Sequence, residues 1–151
     1  MRGKAARPMD LALAEAEAAR DRGEIPVGAV VVSKSGEVLA RAGNRTVGAS
    51  DPTAHAELLA IREACAKLGS ERLDSCDLYV TLEPCAMCAA AIAFARIRRL
   101  YFGASDPKGG AVEHGPRFFA QATCHHKPEI VGGIGEAKAA SLLKTFFANK
   151  R

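Results

Sequence analysis

The chain has 151 residues, 48% of them hydrophobic and 25% charged, with a formal net charge of +4 and five cysteines. That length predicts one domain over residues 1–151, large enough to bury a core without covalent staples. The composition excludes collagen-like, disordered and disulfide-framework proteins, and an odd number of cysteines excludes a complete internal pairing.

The elements follow in chain order. Thirty residues are Ala, the best helix former, which points to closely packed helices. Met9 to Arg22 has helical spacing in Leu11, Leu13, Ala16 and Ala19, with Gly23 as the stop. Val27 to Ser33 and Val38 to Ala42 flank the turn signal Ser35-Gly36 and read as a hairpin. After a loop from Gly43 to Pro52, Thr53 can cap a helix that carries Leu58, Leu59, Ile61, Cys65 and Leu68 and stops at Gly69. Asp77 to Leu82 is a strand, and Pro84 opens an Ala-rich helix to about Ala95. Arg99 to Gly103 is a further strand, followed by a long loop over Ala104 to Pro116. Glu129 to Val131 is a last short strand, and Gly135 to Lys150 is a helix with Leu142, Leu143, Phe146 and Phe147 on one side. Strands alternating with helices after an early hairpin predict an α/β sandwich with a mixed sheet.

The basic start, Met1 to Lys4, is followed by no apolar targeting segment, and the longest apolar stretch, Pro84 to Ala95, is far short of the roughly 20 residues of a membrane span. A reduced, cytoplasmic protein with no membrane contact is the expectation. Charge is unevenly spread: residues 1–95 hold 11 Lys/Arg against 13 Asp/Glu, and residues 96–151 hold 10 against 4. The basic final third is either a docking surface for an acidic partner or a solvated face.

Two segments carry chemistry together. His55-Ala56-Glu57 begins one helix, and Pro84-Cys85-Ala86-Met87-Cys88 begins another directly after a strand. Cysteines three apart in a first helical turn share a face, and the positive end of the helix favours thiolate. With His55 they form a three-donor N/S set suited to a zinc ion whose fourth position stays open for water. Glu57, about 200° around the axis from His55 by helical offset, is placed to move protons rather than to bind the same ion beside it. Each piece alone is weak, since a lone C-x-x-C is equally a redox pair or two core cysteines. Cys124, His125 and His126 remain a route to a fourth, closing ligand. The combined H-x-E and P-C-x-x-C pattern is the known signature of zinc deaminases.

Four stretches, Asp51 to Glu57, Tyr79 to Cys88, Ala95 to Ile97 and Gly103 to Gly110, closely resemble the bacterial tRNA-specific adenosine deaminases. The likeness covers Met9 to Arg151. It implies a three-layer α/β/α sandwich of cytidine-deaminase type with a mixed sheet of about five strands, and a homodimer. It implies one zinc ion per chain on His55, Cys85 and Cys88, with Glu57 as the catalytic proton shuttle. It implies conversion of adenosine to inosine at the wobble position of a tRNA, usually an arginine tRNA, with the anticodon loop as partner. By matched position, Asn44 would contact the flipped base and Asp106 the ribose of the preceding nucleotide. The aromatic pair Phe146-Phe147, followed by Lys150-Arg151, would hold the anticodon loop. Phe147 and Lys108 are the substrate-binding candidates outside the pocket; core packing and a solvated charge are the plainer readings of the two. Ser105 and the sparse basic end depart from the family pattern.

Three alternatives stay open. One is a deaminase of the same fold acting on free guanine or cytosine. Another is a non-catalytic zinc RNA-binding subunit, which would not need Glu57. The third is a thiol–disulfide oxidoreductase on Cys85 and Cys88, which leaves His55 and Glu57 unexplained.

Overall fold

A computed structural model describes residues 7–150; the basic residues 1–6 and Arg151 lie outside the described residues. Five strands form one mixed sheet: β1 (Gly28–Val32), β2 (Val38–Gly43), β3 (Asp77–Leu82), β4 (Arg99–Ala104) and β5 (Glu129–Val131), in the order β2-β1-β3-β4-β5. β1 runs antiparallel to β2 and β3, while β3, β4 and β5 are parallel. The helices are α1 (Pro8–Asp21), α2 (Ala56–Leu68), α3 (Ala86–Ala95) and α4 (Glu136–Ala148).

Alternation along the strands splits the core in two. Ala29, Val31, Leu78, Val80, Leu100 and Phe102 point to the face covered by α2 and α3, where they meet Ala60, Ala64, Ala89 and Ile92. Val30 and Val32 point to the opposite face and meet Met9, Ala12 and Leu13 of α1 and Ala139 of α4. The result is the α/β sandwich with a mixed sheet that the element pattern predicted, in the three-layer, five-strand form that the resemblance implied. All of β1 is buried, as a strand covered on both faces must be. The Ala-rich helices lie close to the sheet. At Gly28 a Cβ would sit 2.0 Å from the carbonyl oxygen of Ala12, so only glycine lets α1 cross β1 at that distance.

Element positions agree with the sequence reading except at two helix starts. Thr53 does not cap α2: its hydroxyl and its N–H both bond to Asp51 Oδ1, at 2.7 and 2.9 Å, closing a turn of their own. The N-cap is His55. Pro84 does not open α3, because its carbonyl accepts a hydrogen bond from the N–H of Ala111 and the first helical bond runs from Ala89 to Cys85. A 3-10 turn at Phe118–Ala120, unanticipated, buries Phe119 after the long loop.

Candidate active site

The parallel strands β3 and β4 end side by side, and each feeds a segment of the site. β3 leads through Glu83 and Pro84 to Cys85; β4 leads to Asp106. Ligand crevices in α/β folds form at such strand ends. His55 and Cys85 hold equivalent places, each at the N-cap of the following helix with extended backbone (φ −77°, ψ 150° and φ −76°, ψ 177°). His55 therefore precedes the helix rather than belonging to its first turn, so the 200° offset to Glu57 does not apply. Cys85 and Cys88 stand at the N-cap and third helical positions, the same spacing by which capping-box partners approach.

His55 Nδ1 lies 3.7 Å from Cys85 Sγ and 3.6 Å from Cys88 Sγ. One donor atom from each of the three residues falls within 4.8 Å of the others. One nitrogen and two sulfurs this close match zinc's preferred donors and leave one tetrahedral position open. Cys124, His125 and His126 take no part in this cluster: the Cys124 thiol donates to the His126 carbonyl at 3.1 Å and His126 Nε2 bonds to the Ile97 carbonyl at 2.6 Å.

The electrostatics are those of a site built for a cation. The Cys85 thiol is pulled down to about 4, first by the hydrogen bond from Cys88 and also by His55. The same bond, with burial, drives the Cys88 thiol upward. His55 is raised, chiefly by its hydrogen bond to Cys85. Glu57 is only 4% exposed, and burial lifts its carboxyl to about 7. A carboxyl poised near neutrality can both accept and return a proton.

A cavity of about 260 Å³ opens beside these groups, lined by His55, Glu57, Cys85, Asn44, Asp106 and Leu82 among others. Asn44 Oδ1 accepts the N–H of Ala56 at 3.0 Å, which ties down the first turn of α2. Because that partner is a donor, the amide oxygen faces it, leaving the Asn44 NH₂ free to donate. Asp106 Oδ1 accepts from the N–H groups of Lys108 and Gly109 at 3.2 and 3.0 Å, shaping its own turn. The structure thus brings His55, Glu57, Cys85, Asn44 and Asp106 to one cavity, with Cys88 buried behind it. Lys108 and Phe147 are not part of that lining: Lys108 is exposed, and Phe147 is 51% exposed on α4 beside the buried Phe146.

Two buried carboxylates escaped the sequence reading. Glu24 accepts from the N–H groups of Val47 and Gly48 at 3.1 and 2.7 Å and so holds the loop after Asn44. Burial raises its carboxyl, but these bonds, Arg22 and the Thr46 hydroxyl outweigh that and leave it below its usual range. Glu83, fully buried, gathers the loop that carries Asp106. The one signal in the sequence is a lone acid at the end of an apolar strand, Glu83 after Val80-Thr81-Leu82.

Comparison with known proteins agrees with this geometry. Residues 3–104 match the model of the cytidine and deoxycytidylate deaminase zinc-binding region. The tRNA-specific adenosine deaminase of Agrobacterium fabrum is 62% identical over 143 residues, covering 95% of this chain and 93% of that protein. The chain belongs to the tRNA-specific adenosine deaminases. The Bacillus subtilis member is 43% identical over 95% of this chain and 88% of its own. A solved structure from work on A-to-I editing by tRNA:A34 deaminases at the wobble position superposes with a TM-score of 0.88 at 62% identity, covering 90% of this chain and 98% of its own. A guanine deaminase from Nitrosomonas europaea shares the fold (TM-score 0.81, covering 93% of this chain and 83% of its own) at only 25% identity.

Proposed function

We propose that this chain deaminates adenosine to inosine at the wobble position of a tRNA, an arginine tRNA in the first instance, with one zinc ion per chain. The observation that carries the reading is the buried Glu57 beside the His55, Cys85 and Cys88 donors in a cavity sized for a single base. The 62% identity to a relative named for tRNA over 95% of this chain favours an RNA substrate over a free base, since one guanine deaminase is 25% identical and another reaches 41% over only 65% of this chain.

His55, Cys85 and Cys88 would hold the zinc. The ion would supply a Lewis acid that makes water nucleophilic at neutral pH. The target nucleotide is splayed out of a single-stranded loop, where unstacking costs least. Asn44 donates to an acceptor on the base, and its anchorage to α2 keeps that donor in register with His55 and Glu57. Glu57 takes one proton from the attacking water and delivers it to ring N1 as C6 is attacked, then takes the second from the new C6 hydroxyl and passes it to the departing amine. Water adds its oxygen to C6, the C6–N bond breaks, and ammonia leaves. Asp106 meets the ribose of the preceding nucleotide, Lys108 and the basic final third face the phosphates of the anticodon loop, and Phe147 helps to shape and hold that loop.

The chain works as one deaminase domain, since β5 and α4 add to the same sheet and core as the first 104 residues. It works as a homodimer in the cytoplasm. α3 carries no charged residue and leaves Phe94 76% exposed beside a groove lined by Leu58, Ile61, Cys65 and Ala91 together with Arg62 and Glu71, an apolar centre with a charged edge of the kind a partner covers. Among the described residues no helix is long and apolar enough to cross a membrane.

The test is incubation of the zinc-loaded protein with an arginine tRNA anticodon stem-loop and sequencing for A-to-I change. Conversion at the wobble adenosine is expected. Turnover of free guanine or cytosine with none of the stem-loop would overturn the reading.

A further inference from the structure

The loop from Asp106 to His114 has no strand or helix to satisfy its backbone, and buried N–H groups demand acceptors. Four of its eight N–H groups find a single side chain. Glu83 Oε1 accepts from the N–H of Asp106 at 2.9 Å and bonds with His114 Nδ1 at 2.8 Å. Its Oε2 accepts from the N–H groups of Val112, Glu113 and His114 at 3.1, 2.8 and 3.1 Å. Both ends of the loop are thus pinned to one carboxylate whose side chain is wholly inaccessible. The loop folds tightly over it: a Cβ at Gly110 would come within 2.5 Å of Glu83 Cδ. Glu83 is also joined through Pro84 to Cys85, so the same strand-to-helix junction carries the thiol donors and the anchor of the loop.

We propose that Glu83 is a positioning residue for RNA binding, registering Asp106 and Lys108 against the pocket by holding both ends of their loop. This rests on the tRNA-deaminase reading. The donor count explains why the residue is an acid. A carboxylate accepts at both oxygens and donates nowhere, whereas Gln would turn an NH₂ group against N–H donors whichever way it faced. The loop would then lose its anchor while His55, Cys85, Cys88 and Glu57, which share no hydrogen bond with Glu83, keep theirs.

The test is Glu83→Gln, read in three ways against the anticodon stem-loop. We expect KM to rise about tenfold with kcat within about threefold of wild type, as for the loss of buried bonds made equally in ground and transition states. In a Glu57→Ala background, where no turnover occurs, the Kd by fluorescence anisotropy should rise by a similar factor. Zinc content should stay at that of wild type. Unchanged KM and Kd, a fall in kcat alone, or loss of zinc would each overturn the proposal. If Glu83→Gln does not fold, His114→Ala removes only the side-chain donor. It should raise KM several-fold, and an unchanged KM there overturns the proposal equally. Failure of the wild-type chain to edit the stem-loop sinks the functional reading instead, so the two failures are separable.

Discussion

Glu57 combines almost complete burial with a carboxyl lifted to about 7, which is what a group that must both take and give a proton requires. Glu57→Ala should therefore keep fold and zinc content but reduce inosine formation by at least about 10²-fold, the contribution usual for a positioned acid–base group. Near wild-type activity in that variant would refute the mechanism. Glu24 acts by its charge in another way. Its folded carboxyl sits below the ordinary 4.5, held there by the Gly48 and Val47 N–H groups, Arg22 and the Thr46 hydroxyl against the opposing effect of burial. It therefore adds stability that is full above about pH 4.5 and is lost as the pH falls through the lowered value. Urea denaturation across the acid range should show a flatter loss of stability in Glu24→Gln than in wild type. The roles of both acids come from burial and partners. In sequence Glu57 was visible through its motif, whereas Glu24 looked like any surface acid beside Gly23.

At the scale of elements, the site depends on two helix starts meeting two strand ends. The motifs were legible as local features: a His before one helix, a C-x-x-C after a strand. The exact starts were not, because Thr53 and Pro84 are favourable N-terminal residues whose polar groups Asp51 and Ala111 had already claimed. Asn44, 12 residues upstream of Ala56, supplies the side chain that holds α2, and no local rule reaches that far. Helix placement also depends on backbone contact at glycine. Gly28→Ala would put a methyl 2.0 Å from the Ala12 carbonyl. It should destabilise the protein by about 1–3 kcal/mol or more in urea unfolding, since backbone must move to relieve it.

For the whole molecule, the sheet order sets what the chain can bind. The parallel pair β3 and β4 ends beneath the cavity, and the apolar α2–α3 face lies on the outside of the same layer. On the proposed homodimer, Phe94→Glu should shift the protein from dimer to monomer in analytical ultracentrifugation without loss of secondary structure. A monomeric wild type would overturn the dimer reading, and a variant that stays dimeric would place the contact elsewhere. The uneven charge belongs to this scale too, since the whole excess of Lys and Arg lies beyond residue 95, in the segments after α3.

By itself the sequence determined the class of fold and picked out the donor set of the candidate site. Donor types at fixed spacing and hydrophobic periodicity are local properties, and His55, Cys85, Cys88, Glu57 and the five strands could be read from them. Only the tertiary structure decided which residues hold these in place. Glu24, Asn44 and Glu83 act on backbone 12 to 31 residues away in sequence. Those pairings exist only once the sheet has formed: the β1–β2 hairpin brings Glu24 to Val47 and Gly48 and leaves Asn44 at the start of α2, and the β3–β4 pair brings Glu83 to the loop after β4. The same folding separates Phe146, buried against the core, from Phe147, left in solvent, two residues that composition alone treats alike.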